Sequence, residues 1–427
     1  MRNRLSQKLD RMSRRRFVGA LAALGVSMPA VEGMTQKTMA ELIDDPKKEV
    51  PRIMGYNLKN FEEVKNGAQP DREPIYYKIP RDRWERIDAA HDARKQIENQ
   101  LTDREKVNVW VTTNSNGEKR IDVEVGIDTS STRQNRRAIE DHIPTSINGV
   151  AGRGTEVEKV VHNIPVSIEQ IEVDSNNDES DKNSIEQQVT NSNCSGFWGD
   201  VYYWHDWDNR SIPGGTAVPT GGQNTLGFPA NGGKRAIKDG HSVENQNGSD
   251  IDEISVMPRG GECDWKELSV NDYKHDGSYT QPSWRFDGAS LGTFGGIEMD
   301  NKLADEDGEK YSVPIDGGIE QDALEDLEHG TDWNEILAFQ GSKSGRVSGF
   351  GINAVNDDQF RTDLDSSKLQ DGDSGGPLWL EIYDPDSYYG TYMFAAGINS
   401  WREPGFNTNH TGIPAIKDEF DKIDYIP

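Results

Sequence analysis

From Ile212 onward the chain alternates short β-rich runs with turn clusters, and this rhythm narrows the available folds more than any other feature of the sequence. Such runs fall at 251–257, 264–270, 347–355 and 389–401, with Gly, Pro, Asn and Asp between them. Runs of this length are too short for long helices, and their spacing predicts an all-β barrel or sandwich. Only 413–423, at the end, has a helical pattern.

One turn in this half carries chemistry. It reads Asp371-Gly372-Asp373-Ser374-Gly375-Gly376-Pro377 and leads into Leu378-Trp379-Leu380, an apolar run expected as a buried strand. A serine hydroxyl is a weak nucleophile until a base takes its proton. Acyl transfer also needs amide N–H groups aimed at the developing oxyanion, and glycines allow the tight backbone that aims them. A plain Gly/Ser/Asp turn is the bland reading of these residues. The stretch nevertheless resembles, letter for letter, the Gly-Asp-Ser-Gly-Gly-Pro nucleophile loop of chymotrypsin-like serine proteases. That resemblance implies a double six-stranded β-barrel, an acyl-enzyme mechanism without metal or organic cofactor, and a histidine and an aspartate preceding Ser374 in that order.

The second half holds His241, His275, His329 and His410. The order implied by the resemblance excludes His410 as the base, and His275 and His329 lie in acidic segments. His241 closes Ile237-Lys238-Asp239-Gly240-His241, where the family has a Thr-Ala-Gly-His turn, so only the Gly-His is kept. The resemblance places the acid at Asp264, which opens Asp264-Trp265-Lys266-Glu267-Leu268, although the family has a small apolar residue where Lys266 stands. Asp272 is the alternative. The N–H groups of Gly372 and Ser374 are implied as the oxyanion hole. Gly397-Ile398-Asn399-Ser400-Trp401 resembles the edge strand that pairs with substrate backbone, which makes Ser400 and Trp401 substrate-binding candidates. Lys368, six positions before Ser374, stands where the family commonly has its pocket floor. Buried there, its ammonium would select acidic side chains; on a loop of different length it would be surface charge.

Further likeness runs along 212–427. Ile212-Pro213-Gly214-Gly215 and Leu226-Gly227-Phe228 resemble the mature start of streptogrisin-type bacterial proteases. Asn224 and Ser242 stand near the positions where those proteins carry a pair of bridged cysteines. Ser344-Gly345-Arg346-Val347-Ser348-Gly349 is similar to the strand before their nucleophile loop.

Charge divides the chain. Residues 1–210 carry 31 Lys+Arg against 35 Asp+Glu, and residues 211–427 carry 16 against 39. The acid thus belongs to the half with the serine. Such a surface repels nucleic acid and resembles proteins from highly saline environments. Cys194 and Cys263 are too few for a disulfide framework, though one bridge is open to them.

Residues 1–16 hold seven Arg/Lys against Asp10, and a short apolar run and small residues follow to Ala30. This describes an export signal, with no segment long enough to remain as a membrane span. Ser13-Arg14-Arg15-Arg16-Phe17 resembles the twin-arginine signal. Residues 31–80 read as linker. Residues 81–173 read as a small α/β unit, with a helix at 82–101, strands at 107–111, 121–125 and 164–173, and a second helix near 133–141. Its place suggests a propeptide, joined by a polar linker and activation region at 174–211 to a trypsin-like domain at 212–427. Cleavage is expected near 210–212, which would release the residues before it.

The sequence therefore predicts a secreted serine endopeptidase, made as a zymogen, that acts on protein or peptide substrates. Its catalytic residues would be His241, Asp264 and Ser374. The competing reading is a trypsin-like fold with dead chemistry that serves as a peptide- or protein-binding module.

Overall fold

The computed structural model describes most of 49–171 and 211–426. Outside that description lie 1–48, 102–106, 115–119, 129–136, 172–210, 219–223, 244–251, 257–265, 276–285, 294–297, 305–310, 328–334, 385–388, 403–407 and a few single positions. The export signal, most of the helix expected at 133–141, Asp264, and both Cys194 and Cys263 therefore fall outside it.

The stretch expected as linker is structured from residue 49. Strands β1 (Glu49–Leu58) and β2 (Arg72–Pro80) form an antiparallel hairpin around the short helix α1 (Phe61–Lys65). Val50, Ile53, Ile75, Tyr77 and Ile79 are buried, so the hairpin has a core face despite its many polar residues. The main helix α2 (Arg81–Gln100) starts directly after Pro80, whose missing N–H costs nothing at a helix start. It buries Trp84, Ile87, Ala90, Ala93 and Ile97, the three- and four-step series read from the sequence. It packs on a sheet of β3 (Val107–Asn114), β4 (Arg120–Asp128), β5 (Ser146–Ala151) and β6 (Lys159–Ile171), in which β6 runs parallel to β4.

The second half is mostly β, as its turn rhythm predicts. It begins with β7 (Ser211–Gly214), β8 (Ala217–Val218) and β9 (Asn224–Thr225). A five-stranded antiparallel sheet follows, made of β10 (Pro229–Ala230), β11 (Arg235–Lys238), β12 (Glu253–Val256), β13 (Lys266–His275) and β14 (Asp287–Thr293). Its spatial order is β10-β11-β14-β13-β12. Strand β15 (Glu298–Leu303) returns beside β7. After β16 (Gly317–Gly318) and helix α3 (Gln321–Leu327) come β17 (Glu335–Gly341), β18 (Gly345–Phe350), β19 (Ile352–Val355), β20 (Gln359–Thr362), β21 (Pro377–Tyr383), β22 (Thr391–Arg402), β23 (Thr408–Gly412) and helix α4 (Ile413–Glu419). The run expected as one strand at 347–355 is two, interrupted at Gly351.

The second sheet runs β18-β17-β21-β22-β23-β20-β19 and continues without a break into β3-β4-β6-β5 of the first half. The joint is antiparallel, Ala354 opposite Thr112 and Val355 opposite Val111. One apolar core serves both halves: Val50, Met54, Ile75, Tyr77 and Trp84 cluster with Leu337, Phe339, Val355, Phe360, Leu378 and Phe394. Among the described residues no helix is long and apolar enough to cross a membrane.

Candidate active site

The expected base and the expected nucleophile arrive from the two different sheets. His241 follows β11, where Asp239 and Gly240 lead into a 3-10 turn over His241–Val243. Gly240 is required by packing: a Cβ there would lie 2.6 Å from the Lys274 carbonyl oxygen and 2.8 Å from that of Gly288. The turn therefore nests against β13 and β14, which brings His241 to the start of β14.

Asp287, the first residue of β14, is fully buried and meets the histidine there. Its Oδ2 lies 2.7 Å from His241 Nδ1. Its Oδ1 accepts from the backbone N–H groups of Gly240 (2.7 Å) and His241 (2.8 Å). The Ser400 hydroxyl, also buried, donates to Oδ2 at 2.7 Å from β22. A carboxylate with this many donors is held ionised. Burial opposes the charge, but His241 and these hydrogen bonds outweigh it and push the Asp287 carboxyl well below the usual carboxylate range. The imidazole responds in the opposite direction. Burial disfavours its charged form, yet the charges of Asp287 and Asp239 prevail and raise its pKa to about 9.

Ser374 sits half-buried in a loop pinned from three sides. Its carbonyl accepts from Thr225 N at 2.8 Å, and Gly375 N donates to the Asn399 carbonyl of β22 at 2.8 Å. The Asp373 carboxylate, turned inward, accepts from Gln370 N (2.8 Å) and Ser344 N (3.1 Å). The Thr225 hydroxyl fastens the Gly372 carbonyl at 2.9 Å. Gly372 and Gly375 hold φ values of 110° and 79°, a region that glycine enters without steric cost. Among the described residues the N–H groups of Gly372 and Ser374 find no acceptor, whereas those of Gln370, Asp373, Gly375 and Gly376 all do. The two loops touch at Gly375, where a Cβ would lie 2.3 Å from Asp239 Oδ1. The oxygen Oδ2 of that same carboxylate is 3.3 Å from His241 Nε2. The Ser374 loop and the His241–Asp287 pair therefore lie side by side, joined through Asp239, with no hydrogen bond between Ser374 and His241 among the described residues.

The carboxylate on His241 is neither of the two weighed from the sequence. Asp264 lies outside the described residues, and Asp272 is exposed on β13. Asp287 was legible: in Asp287-Gly288-Ala289-Ser290-Leu291 a small apolar residue, Ala289, follows the aspartate by two, the feature that Lys266 denies to Asp264. The Lys368 side chain is exposed on the 3-10 turn Ser366–Lys368, which removes the buried-ammonium argument for acidic specificity. Ser400 is present in the site but acts on Asp287. Trp401 continues β22 opposite Asn409.

The ligand atoms of Asp239, His241 and Asp287 lie within 4.8 Å of one another, close enough to share a cation. Protein groups already occupy them: Lys238 Nζ lies 2.6 Å from Asp239 Oδ1, and Asp287 is saturated by the donors named above. The cluster is a network in which protein donors already engage the carboxylate oxygens.

No protein-family model matches the chain, and no curated protein does. Among solved structures it is similar to a Nocardiopsis protease, at 18% identity over 49% of this chain and 97% of that one, with a TM-score of 0.33. A Cellulomonas bogoriensis chymotrypsin aligns at 18% identity over 49% and 96%, with a TM-score of 0.31. A glutamic-acid-specific serine protease, described as using a novel histidine triad in substrate binding, aligns at 17% over 49% and 98%, with a TM-score of 0.32.

Proposed function

We propose that the chain is a serine endopeptidase working through Ser374, His241 and Asp287, with the five-stranded sheet and the β17–β23 sheet as the two barrels of its catalytic unit. One observation carries this reading. A buried aspartate holds the inner nitrogen of a histidine whose turn packs directly against a Gly-Asp-Ser-Gly-Gly-Pro loop. Ser374 Oγ attacks the scissile carbonyl, His241 accepts its proton and passes it to the leaving amine, and Asp287 fixes the tautomer and stabilises the imidazolium. Asp287 thus replaces Asp264 and Asp272 as the acid. The N–H groups of Gly372 and Ser374 would receive the oxyanion. Beyond Ile398, β22 no longer pairs with β21, and the edge at Ser400–Arg402 could accept the backbone of an extended substrate.

The basic, apolar and small-residue start of the chain supports twin-arginine export and an extracellular site of action. Residues 49–171 are read as a pro-segment that partners the second half within the same chain. Labelling by a fluorophosphonate tests the proposal. The protein should take up one label and lose both labelling and peptide hydrolysis in Ser374→Ala. Undiminished labelling of Ser374→Ala would refute it.

A further inference from the structure

The mechanism leaves the buried pair Lys238 and Asp239, beside the imidazole, unused. Asp239 is fully buried and stands beside the outer nitrogen of the imidazole. Its Oδ2 lies 3.3 Å from His241 Nε2 and accepts from Ser242 N at 3.2 Å. Its Oδ1 takes the ammonium of Lys238, itself buried and also bonded to the Ser242 hydroxyl. A neutral imidazole that gives its Nδ1 proton to Asp287 has a bare lone pair at Nε2. A carboxylate is acceptor-only, so the two would repel. The contact is favourable only when Nε2 carries a proton as well, with both ring nitrogens donating.

We propose that Asp239 is a positioning residue of the base, a second carboxylate that holds the outer nitrogen of His241 as Asp287 holds the inner one, so that the resting enzyme keeps this ring as imidazolium. The proposal deepens the protease reading and rests on it for its kinetic consequence. Among the described residues, the charged groups that act on the ring are these. Asp287 at the start of β14 and Asp239 at the end of β11 favour the cation, and Lys238 opposes it. From β22, among the described side chains, the Ser400 hydroxyl acts through Asp287. Asp373 of the nucleophile loop is turned away to Gln370 and Ser344, and Lys274 of β13 is paired outward with Glu419. A base gripped at both nitrogens is strong but becomes free only at alkaline pH. The enzyme should therefore be alkaline, with the rising limb of kcat/KM near pH 9.

The test follows the His241 ring by NMR against pH in Ser374→Ala, a readout that needs no catalysis. Adding Asp239→Asn should lower its titration midpoint by at least one pH unit. In the Ser374 enzyme Asp239→Asn should move the limb of kcat/KM down by the same amount. Because Asp239→Asn leaves the Lys238 ammonium buried without its partner, Lys238→Met/Asp239→Asn is measured alongside, and it decides the matter should the single variant fail to fold. An unchanged midpoint in the folded variants would overturn the proposal. A lowered midpoint in a protein that takes up no fluorophosphonate would leave the grip standing and refute the protease reading alone.

Discussion

Asp287 can be separated from Asp264 by measurement. If Asp287 sets the tautomer of His241, Asp287→Asn should reduce kcat by about 10⁴-fold, the loss characteristic of a wrong-tautomer triad. Asp264→Asn should leave the rate near that of the parent, and the reverse pattern would restore the sequence-based assignment. Ser400→Ala removes one of the donors that keep Asp287 ionised, and a smaller fall in kcat is expected. The same pair makes stability depend on pH. His241 titrates near 9 in the folded chain, above its ordinary value of about 6.5 in an unfolded one. Between those values the folded state binds more protons, so the stabilisation is complete below about 6.5 and is lost as pH rises through 9. Asp287 works in the other sense: its folded pKa is depressed, so its contribution is present above the usual carboxylate range and is lost as acid protonates it. In Ser374→Ala, which cannot digest itself, Tm should fall from neutral to alkaline pH and less steeply in His241→Gln. Equal slopes would mean that the imidazolium contributes nothing to stability.

At the scale of elements, the site depends on two glycines that admit no side chain. Gly240→Ala would push a methyl into the carbonyls of Lys274 and Gly288, and Gly375→Ala would place one at φ 79° against the Thr225 carbonyl and Asp239. Backbone cannot retreat as a flexible side chain can, so each change should cost activity through displacement of its loop. Labelling by fluorophosphonate should slow at least tenfold in folded Gly375→Ala, and an unchanged rate would show that the two loops are less tightly seated than their contacts imply. These glycines were legible as motif letters, and so were α2, the β3–β4 hairpin and the short helix α4, because each carries its own period. The hairpin β1–β2 was not. Its strand Arg72–Pro80 carries Arg72, Glu73, Pro74 and Lys78, and what makes it a strand is a core supplied by residues more than 200 positions away, Ile319 and Leu324 among them. Asp287 was missed for a related reason. The small apolar residue two positions on, Ala289, was there to read, but the role of Asp287 is set by a histidine 46 residues earlier and a serine 113 residues later, which that local pattern alone does not identify.

The whole molecule is governed by charge and by the seam between its halves. The acidic excess of 211–427 crowds like charges on one compact body, and their repulsion is screened only when the Debye length is short, about 3 Å at 1 M salt against about 10 Å at 0.1 M. Dilution to 0.1 M salt should lower Tm and activity, and indifference to salt would contradict that reading. The seam bears on what a cut near 210–212 can release. Across it Arg52 Nε pairs with Asp326 at 2.9 Å, and Tyr77 donates to the same carboxylate at 2.5 Å. Arg94 meets Asp357 at 2.7 Å and Arg361 meets Glu124 at 2.9 Å. Asp326 is fully buried, and stripping one partner from a buried pair costs about 3–5 kcal/mol. Departure of the first half would expose these charges, the apolar face of the shared core and the edge of β19 at once. The linker and the charge change predict release, whereas a seam of this kind predicts retention. Cut between 172 and 210, the two pieces should elute together from a sizing column at high salt and separate only on unfolding. Arg52→Met together with Tyr77→Phe, which strands Asp326, should loosen them. Free elution of a folded, active 211–427 fragment from the wild-type protein would show that the shared core is dispensable and return the first half to the role of a detachable propeptide.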